Sequence, residues 1–487
     1  MTDDTPAFAI VGAVNHGKSS VVSTLAEDDR VRVSAMPGET VEVQRFSLRD
    51  LFVFYDTPGF QNAREALAEL RAAADAPDPL QAFRDFVERH RGDPAFDAEC
   101  RLFAPVAEGA GLIYVVDGSR PLLDIHLAEM EVLRLTGAPR LAVINRSGTD
   151  DHVQAWKRRL GLHFNAVREF NAQRASFADR IELLETLAGI EQRWKPGLTQ
   201  AIALLRTEWE ARLDDCAELI VDLLADCLAH SETQTLQDAD AGARAEAAEA
   251  LKRRYMDTIA AKESRTHGKI ISLFSHHLVS AGSDTDTLFA DDLFSEQTWQ
   301  LLGLKPRQLM TAGAVAGAAT GATADAMTVG HTLLAGTAIG AAIGAAGAYI
   351  VGKQRPDLAV GVPRERMPGA LRMLLPERIR LGGDALSVGP YAALNFPWIL
   401  LDRAIATLAY VVDRPHARRD RVTLQANELV AALASQGFTV AHWDDADRKA
   451  CERGFAAMRR DKLDAAGRAA LRGCIRRHLT QVAGVKA

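Results

Sequence analysis

Residues 7–19 read Ala-Phe-Ala-Ile-Val-Gly-Ala-Val-Asn-His-Gly-Lys-Ser. The apolar run from Phe8 to Val11 predicts a buried strand. It runs into Gly12-Ala-Val-Asn-His-Gly17-Lys18-Ser19, which satisfies G-x-x-x-x-G-K-[ST] at every fixed position. A helical stretch, Ser19–Glu27, follows. Strand, glycine loop and helix in that order are the context this motif needs, so a chance Gly-rich turn is a poor competitor. Gly12 and Gly17 can take backbone torsions that turn N–H groups toward phosphate oxygens. The helix N-terminus adds partial positive charge. Lys18 would reach the β- and γ-phosphates and the Ser19 hydroxyl would bind Mg²⁺. Gly12, Asn15, His16, Gly17, Lys18, Ser19 and Ser20 are thus the candidate phosphate-contacting residues.

Outward from this loop, Val41–Leu48 alternates in polarity and Leu51–Tyr55 is apolar, with Arg49-Asp50 between them, which predicts a hairpin. Thr40 stands just before the first of these strands, where a switch threonine could complete a Mg²⁺ shell. Asp56-Thr57-Pro58-Gly59 follows the second. An Asp at the end of a buried strand can hold Mg²⁺, and the Gly59 N–H can sense a γ-phosphate. Lys18, Thr40 and Gly59 are therefore the candidate catalytic groups, and Ser19, Thr40 and Asp56 the candidate metal ligands. Gly111–Asp117 and Arg140–Asn145 read as further buried strands, with a helix at Leu122–Leu135 between them. His163–Phe170 could be the last strand, before a helix at Ser176–Leu187. This alternation predicts an α/β domain over 1–195 with a mostly parallel sheet covered by helices on both faces. Residues 60–110 form a helical insertion (Arg64–Ala73, Pro79–His90, Ala98–Gly109), either an enlarged switch region or structural filling.

The order GAVNHGKS, Thr40, DTPG and an Asn at a strand end resembles the translation-factor-related P-loop GTPases, closest to the Era/TrmE branch, over about the first 190 residues. The resemblance implies GTP/GDP and Mg²⁺ as ligands. It makes Asn145 the base-reading Asn of an NKxD motif and Asn171-Ala172 the last base-contacting loop. Asn145-Arg-Ser-Gly148 departs from that motif, with Arg146 for Lys and Gly148 for Asp, so Asp150 or Asp151 would have to read guanine from a bulged loop. Phe60 stands where many relatives carry a catalytic Gln, with Gln61 one step on, as in GTPases that position water by other means. Asn15 matches the Asn of potassium-activated members, which implies K⁺-stimulated hydrolysis; a turn-stabilising Asn reads equally well.

Beyond the head, residues 196–305 read helical, interrupted by polar Ser231–Asp240, and suit a bundle or an arm. Lys252-Arg253-Arg254 reads as a solvated face, and His276-His277 as surface. Residues 306–353 hold a Gly/Ala-rich hairpin in which Gly313, Gly317, Gly321 and again Gly336, Gly340, Gly344 are four apart, a glycine zipper. Each arm is about long enough to cross a bilayer, but Ala and Gly gain little in hydrocarbon and Asp325 costs about 2.5–3.5 kcal/mol unless it sits at the tip. Membrane docking and packing in a soluble core both remain open. Residues 354–487 predict a mainly helical domain: a short hairpin at Arg378–Val388, a helix beginning Phe396-Pro-Trp-Ile-Leu-Leu-Asp-Arg, and helices near Thr423–Gln436, Ala446–Arg460 and Asp464–Val482. Taken together, these parts resemble a bacterial family of GTPases fused to a domain of unknown function.

Composition narrows the partners. The chain has 487 residues, 48% hydrophobic and 25% charged, which suits two or three globular domains. A net charge of −7 argues against a nucleic-acid surface. Cys100, Cys216, Cys227, Cys451 and Cys474 show no CxxC pair or Cys/His cluster at metal-ligand spacing, which suggests reduced thiols. The first residues lack an apolar signal segment, so a cytoplasmic protein is expected, with residues 307–353 offering a route onto the inner membrane. The leading expectation is a GTP-hydrolysing switch acting on an unidentified protein effector. A nucleotide-controlled membrane scaffold that assembles with copies of itself is the second, and a ribosome- or RNA-associated GTPase the third.

Overall fold

The computed structural model describes residues 5–26, 43–48, 51–73, 78–146, 151–236, 241–274, 385–391, 393–413 and 439–484, with isolated positions between 293 and 308 and at 437. Thr40, Asp150, His276-His277, the helix expected at 423–436 and the glycine zipper lie outside these residues. The chain divides into two compact units. One is built on residues 1–211 and the other on most of 212–487.

The first unit is an α/β domain. Its six-stranded sheet has the order β2-β3-β1-β4-β5-β6. These strands are β1 (Ala7–Val11), β2 (Gln44–Leu48), β3 (Phe52–Asp56), β4 (Gly111–Asp117), β5 (Arg140–Asn145) and β6 (Ala166–Phe170). All neighbours run parallel except β2, which pairs antiparallel with β3 at the edge. Every residue of β4 is buried, as expected of a central parallel strand with helices on both faces. The helices are α1 (Lys18–Ala26), α2 (Ala63–Ala72), α3 (Pro79–Arg89), α4 (Asp97–Ala107), α5 (Asp124–Leu135), α6 (Val153–Leu160) and α7 (Phe177–Ile190). Local chemistry starts several of them. Asp78 accepts from the Leu80 N–H with Pro79 at the first helical position. Ser176 and Asp179 form a reciprocal capping box on α7.

Two expectations for this unit need correction. The last strand begins at Ala166 rather than His163, because His163 and Phe164 close the turn after α6 through N–H bonds to Leu160. The helix α6 itself was not foreseen; its apolar residues Val153, Trp156 and Leu160 are spaced for one buried face. The insertion is helical as expected. Its α4 contributes Phe103 to an aromatic cluster with Phe60, Phe83 and Phe86.

A long helix, α8 (Lys195–Leu228), starts in the first unit and ends in the second. The second unit adds β7 (Glu232–Thr235), α9 (Ala241–Leu273), β8 (Ala385–Val388), α10 (Phe396–Asp413), α11 (Asp445–Met458) and α12 (Ala465–Val482). β8 pairs antiparallel with β7, some 150 residues earlier. The strand expected within a local hairpin at 378–388 therefore takes its partner from the polar interruption at 231–240. Arg253 and Arg254 are exposed, in keeping with a solvated face. No described helix is long and apolar enough to cross a membrane. The polar residues of the Phe396–Arg403 stretch are buried ties. Trp398 donates to Glu452, Asp402 accepts from the Gly303 and Val440 N–H groups, and Arg403 clasps Glu263.

Candidate functional site

The loop between β1 and α1 depends on backbone that only certain residues tolerate. Gly12 and Gly17 have φ of 142° and 88°, and Asn15 has 64°. A Cβ on Gly12 would stand 2.3 Å from the Val115 carbonyl oxygen, and one on Gly17 would stand 2.2 Å from Asn145 Nδ2. Asn15 is exposed at the crest. Lys18 folds back over the loop, its ammonium donating to the Gly12 and Ala13 carbonyls at 3.3 and 3.0 Å. Burial lowers the Lys18 pKa, while Asp56 and Glu129 pull it back up. His16 is buried. Desolvation first, then the nearby His126, push its pKa down to about 3, so it is neutral near pH 7. Ser20 is half-buried on the first turn of α1.

Ser19 and Asp56 meet where β3 ends beside α1. The Ser19 hydroxyl donates to Asp56 Oδ2 at 2.7 Å, while Asp56 Oδ1 is buried and accepts no hydrogen bond from the described residues. Burial raises the Asp56 pKa, against the Ser19 bond and Lys18. A hydroxyl and a buried carboxylate with a spare oxygen suit a hard divalent cation. The Thr57 hydroxyl donates to the Ile10 carbonyl at 2.7 Å and so fixes the turn after Asp56 to β1. Gly59 presses on the loop: a Cβ there would lie 2.7 Å from the Val14 nitrogen. Phe60 pairs with Ala13 in an isolated parallel bridge.

At the other end of the loop, Asn145 is buried and acts as a clamp. Its Nδ2 donates to the His16 carbonyl at 3.4 Å and its Oδ1 accepts from the Ala172 N–H at 3.3 Å. Thr24 donates to the Ala172 carbonyl at 2.9 Å. The loop, the end of β5 and the 171–172 turn are thus fixed to one another. Asn171 shapes that turn by accepting from the Gln173 N–H. Arg146 pairs with Glu169 at 2.9 Å.

Sequence reasoning missed the carboxylates behind this surface. Glu99, on α4, is fully buried and accepts from the Gln61 and Asn62 N–H groups at 2.7 and 2.6 Å. Glu129, on α5, accepts from the Tyr114 hydroxyl at 2.7 Å, and burial pushes its pKa to about 7. Neither carries a signal in the sequence: each is an acidic residue in an amphipathic helix, and only the fold decides that it points inward. Phe60 is buried against Phe103. The segment after Gly59 is therefore anchored to the insertion by one ring and one carboxylate.

A family model described as "50S ribosome-binding GTPase" matches residues 7–146, and one described as "Domain of unknown function (DUF3482)" matches residues 157–473. The chain is similar to a "Probable GTP-binding protein EngB" from Dechloromonas aromatica (strain RCB), 26% identical over 197 residues that cover 39% of this chain and 76% of that protein. The relative of the same name from Shewanella frigidimarina (strain NCIMB 400) is 26% identical over 190 residues, covering 39% of this chain and 71% of that protein. The one from Protochlamydia amoebophila (strain UWE25) is 43% identical over 63 residues, covering 13% and 31%. The shorter matches thus span only about a third of those relatives, as in a Leuconostoc mesenteroides protein covered to 37%. Residues 7–146 form a P-loop GTPase domain.

Proposed function

The chain belongs to the family defined by the DUF3482 domain, here carried behind a P-loop GTPase domain, and on that premise we propose that it is a GTP-driven switch whose insertion transmits nucleotide state. One observation carries the reading: the segment after Gly59 touches the phosphate loop on one side and Glu99 of the insertion on the other. In this reading the loop N–H groups and Lys18 hold the phosphates. Ser19, Asp56 and Thr40 hold Mg²⁺, which neutralises charge on the phosphoryl oxygens. Asn145, with Asn171-Ala172 and Asp150, forms the base side. Movement of Gly59 would reach α4 through two short hydrogen bonds. Asn15 is the candidate K⁺ ligand.

The test is steady-state hydrolysis of GTP and ATP by the purified chain in K⁺ and in Na⁺ buffer. GTP-selective turnover, faster in K⁺, is the expected result. Equal rates in both salts remove the K⁺ role, and ATP preference removes the guanine assignment. A second reading rests on the matched description of a ribosome-binding GTPase. Co-sedimentation of the GTP-loaded chain with ribosomal particles would favour it, although the charge of −7 supplies no evident rRNA surface.

The Glu99 contact makes a separate prediction. Each hydrogen bond to a charged group contributes about 1.5–3 kcal/mol. Glu99→Ala is expected to slow GTP turnover about tenfold or more while leaving GDP affinity near the parent value, with Glu99→Gln in between. Turnover and fluorescent-GDP binding measured side by side check this. Equal losses in both would assign Glu99 to nucleotide binding or stability instead.

A further inference from the structure

In the second unit, α11 and α12 pack side by side, and each turns two metal-ligating residue types toward the other. Asp447 and Cys451 are four residues apart on α11, and Cys474 and His478 are four apart on α12. A spacing of four puts each pair on one helix face. The two thiols lie 3.7 Å apart, Sγ to Sγ. His478 Nε2 lies 2.8 Å from Asp447 Oδ2. Donor atoms of Asp447, Cys474 and His478 all lie within 4.8 Å of one another. This corrects the expectation that no cysteine has metal-ligand spacing: the pattern is D-x-x-x-C with C-x-x-x-H on paired helices, which a scan for short Cys-x-x-Cys spacing passes over.

We propose that Asp447, Cys451, Cys474 and His478 form a tetrahedral zinc site that clips α11 to α12. Three donors are already clustered, Cys451 joins them through its contact with Cys474, and the spacing of the two thiols fits the ion. A tetrahedral Zn²⁺ with sulfur at about 2.3 Å separates its two thiolates by about 3.8 Å, close to the spacing already present. Two thiolates, one carboxylate and one imidazole make a donor set of the borderline-soft kind that zinc selects over magnesium or calcium. The ring of His478 is held in place by stacking on Trp443, with centroids 3.8 Å apart and planes at 5°. Arg477 bonds the other oxygen of Asp447, so Oδ2 is left to face the site, and the guanidinium balances the excess negative charge of the ligand set. Both cysteines are buried, while the Asp447 and His478 side chains are each 13% exposed, which gives the ion a way in from solvent. Binding exchanges the direct Asp447–His478 hydrogen bond for two metal bonds; the two thiol protons go to solvent, and the proton that His478 Nε2 shares with Asp447 moves to Nδ1 or to solvent, which frees the Nε2 lone pair for the metal.

The experiment uses the full chain, purified with reductant, stripped with a chelator and titrated with Co²⁺ as a spectroscopic stand-in for Zn²⁺. One Co²⁺ per chain is expected, with a sulfur-to-metal charge-transfer band and the intense visible bands of tetrahedral cobalt, both displaced by one equivalent of Zn²⁺. The Cys451→Ser/Cys474→Ser double variant should lose the charge-transfer band. Asp447→Asn, which keeps shape and packing, should weaken Zn²⁺ affinity by about 10–100-fold. The spectrum of the parent chain decides the matter even if the double variant does not fold. Absence of stoichiometric Co²⁺, a spectrum without sulfur charge transfer, binding unchanged by the double substitution, or a Cys451–Cys474 disulfide that metal does not displace would each overturn the proposal.

Discussion

Lys18→Ala is expected to lower kcat/KM for GTP by about a hundredfold to a thousandfold or more, with the fold retained. Removing one preorganised donor from a site of developing charge costs about 2.7–4 kcal/mol, and each 1.36 kcal/mol is tenfold in rate. Lys18 also does structural work in the free protein. Its ammonium crosses the loop to the Gly12 and Ala13 carbonyls. It also supplies positive charge beside the buried carboxyl groups of Asp56 and Glu129. Alanine leaves both carboxyls buried without that charge, so their protonation becomes easier and Asp56 becomes a poorer metal ligand at neutral pH. Lys18→Arg is not expected to rescue, since a planar guanidinium does not fit a loop closed around a compact ammonium. Single-turnover GTP hydrolysis, with circular dichroism as a fold control, checks both variants. Parent-level turnover in a folded Lys18→Ala protein would remove the loop from the chemistry.

The head was legible because its information is local. A strand, a loop and the start of a helix carry the eight-residue motif in one stretch, and Asp56 and Gly59 follow a run whose apolar character shows it is buried. What was not legible depends on three-dimensional pairing. That Asn145 clamps the loop is one such feature: its amide lies between His16 and Ala172, which are far from it in sequence. Glu99 looks like an ordinary first-turn acid, favourable at a helix start, and only the closure of α4 over the 60–62 segment buries it. In the second unit, Trp398, Asp402 and Arg403 are visible as a pattern but give no hint of their partners, which lie 38 to 140 residues away. β7 was read as an interruption because four polar residues have no strand signal until β8 supplies the other half of the ladder. The zinc ligands were hidden in the same way, since helical spacing only matters once two helices are known to face each other.

The largest expected loss of stability is at Glu263→Ala. Arg403 Nε and Nη2 reach the two oxygens of Glu263 at 2.6 and 3.0 Å, a side-on bidentate clasp between α10 and α9 with side chains 4% and 5% exposed. Taking two charges out of water is costly, so the intact pair contributes little net stability, but removing one partner leaves the other buried. Deleting the carboxylate is therefore expected to destabilise the second unit by about 3–5 kcal/mol. For a unit of this size that lowers its thermal midpoint by roughly 6–20 °C. Replacing both residues with apolar side chains of similar volume (Glu263→Leu with Arg403→Met) should recover most of that loss, because no unpaired charge remains. A double-mutant cycle read by denaturant titration separates the two cases. Nucleotide binding gives the control. A ligand held by residues 7–146 stabilises the unit that binds it, so GDP should move the melting of the head and leave the Glu263→Ala deficit in place. If GDP restores the second unit in the variant, the two units share a folding transition, and the clasp belongs to the coupling between nucleotide and helices.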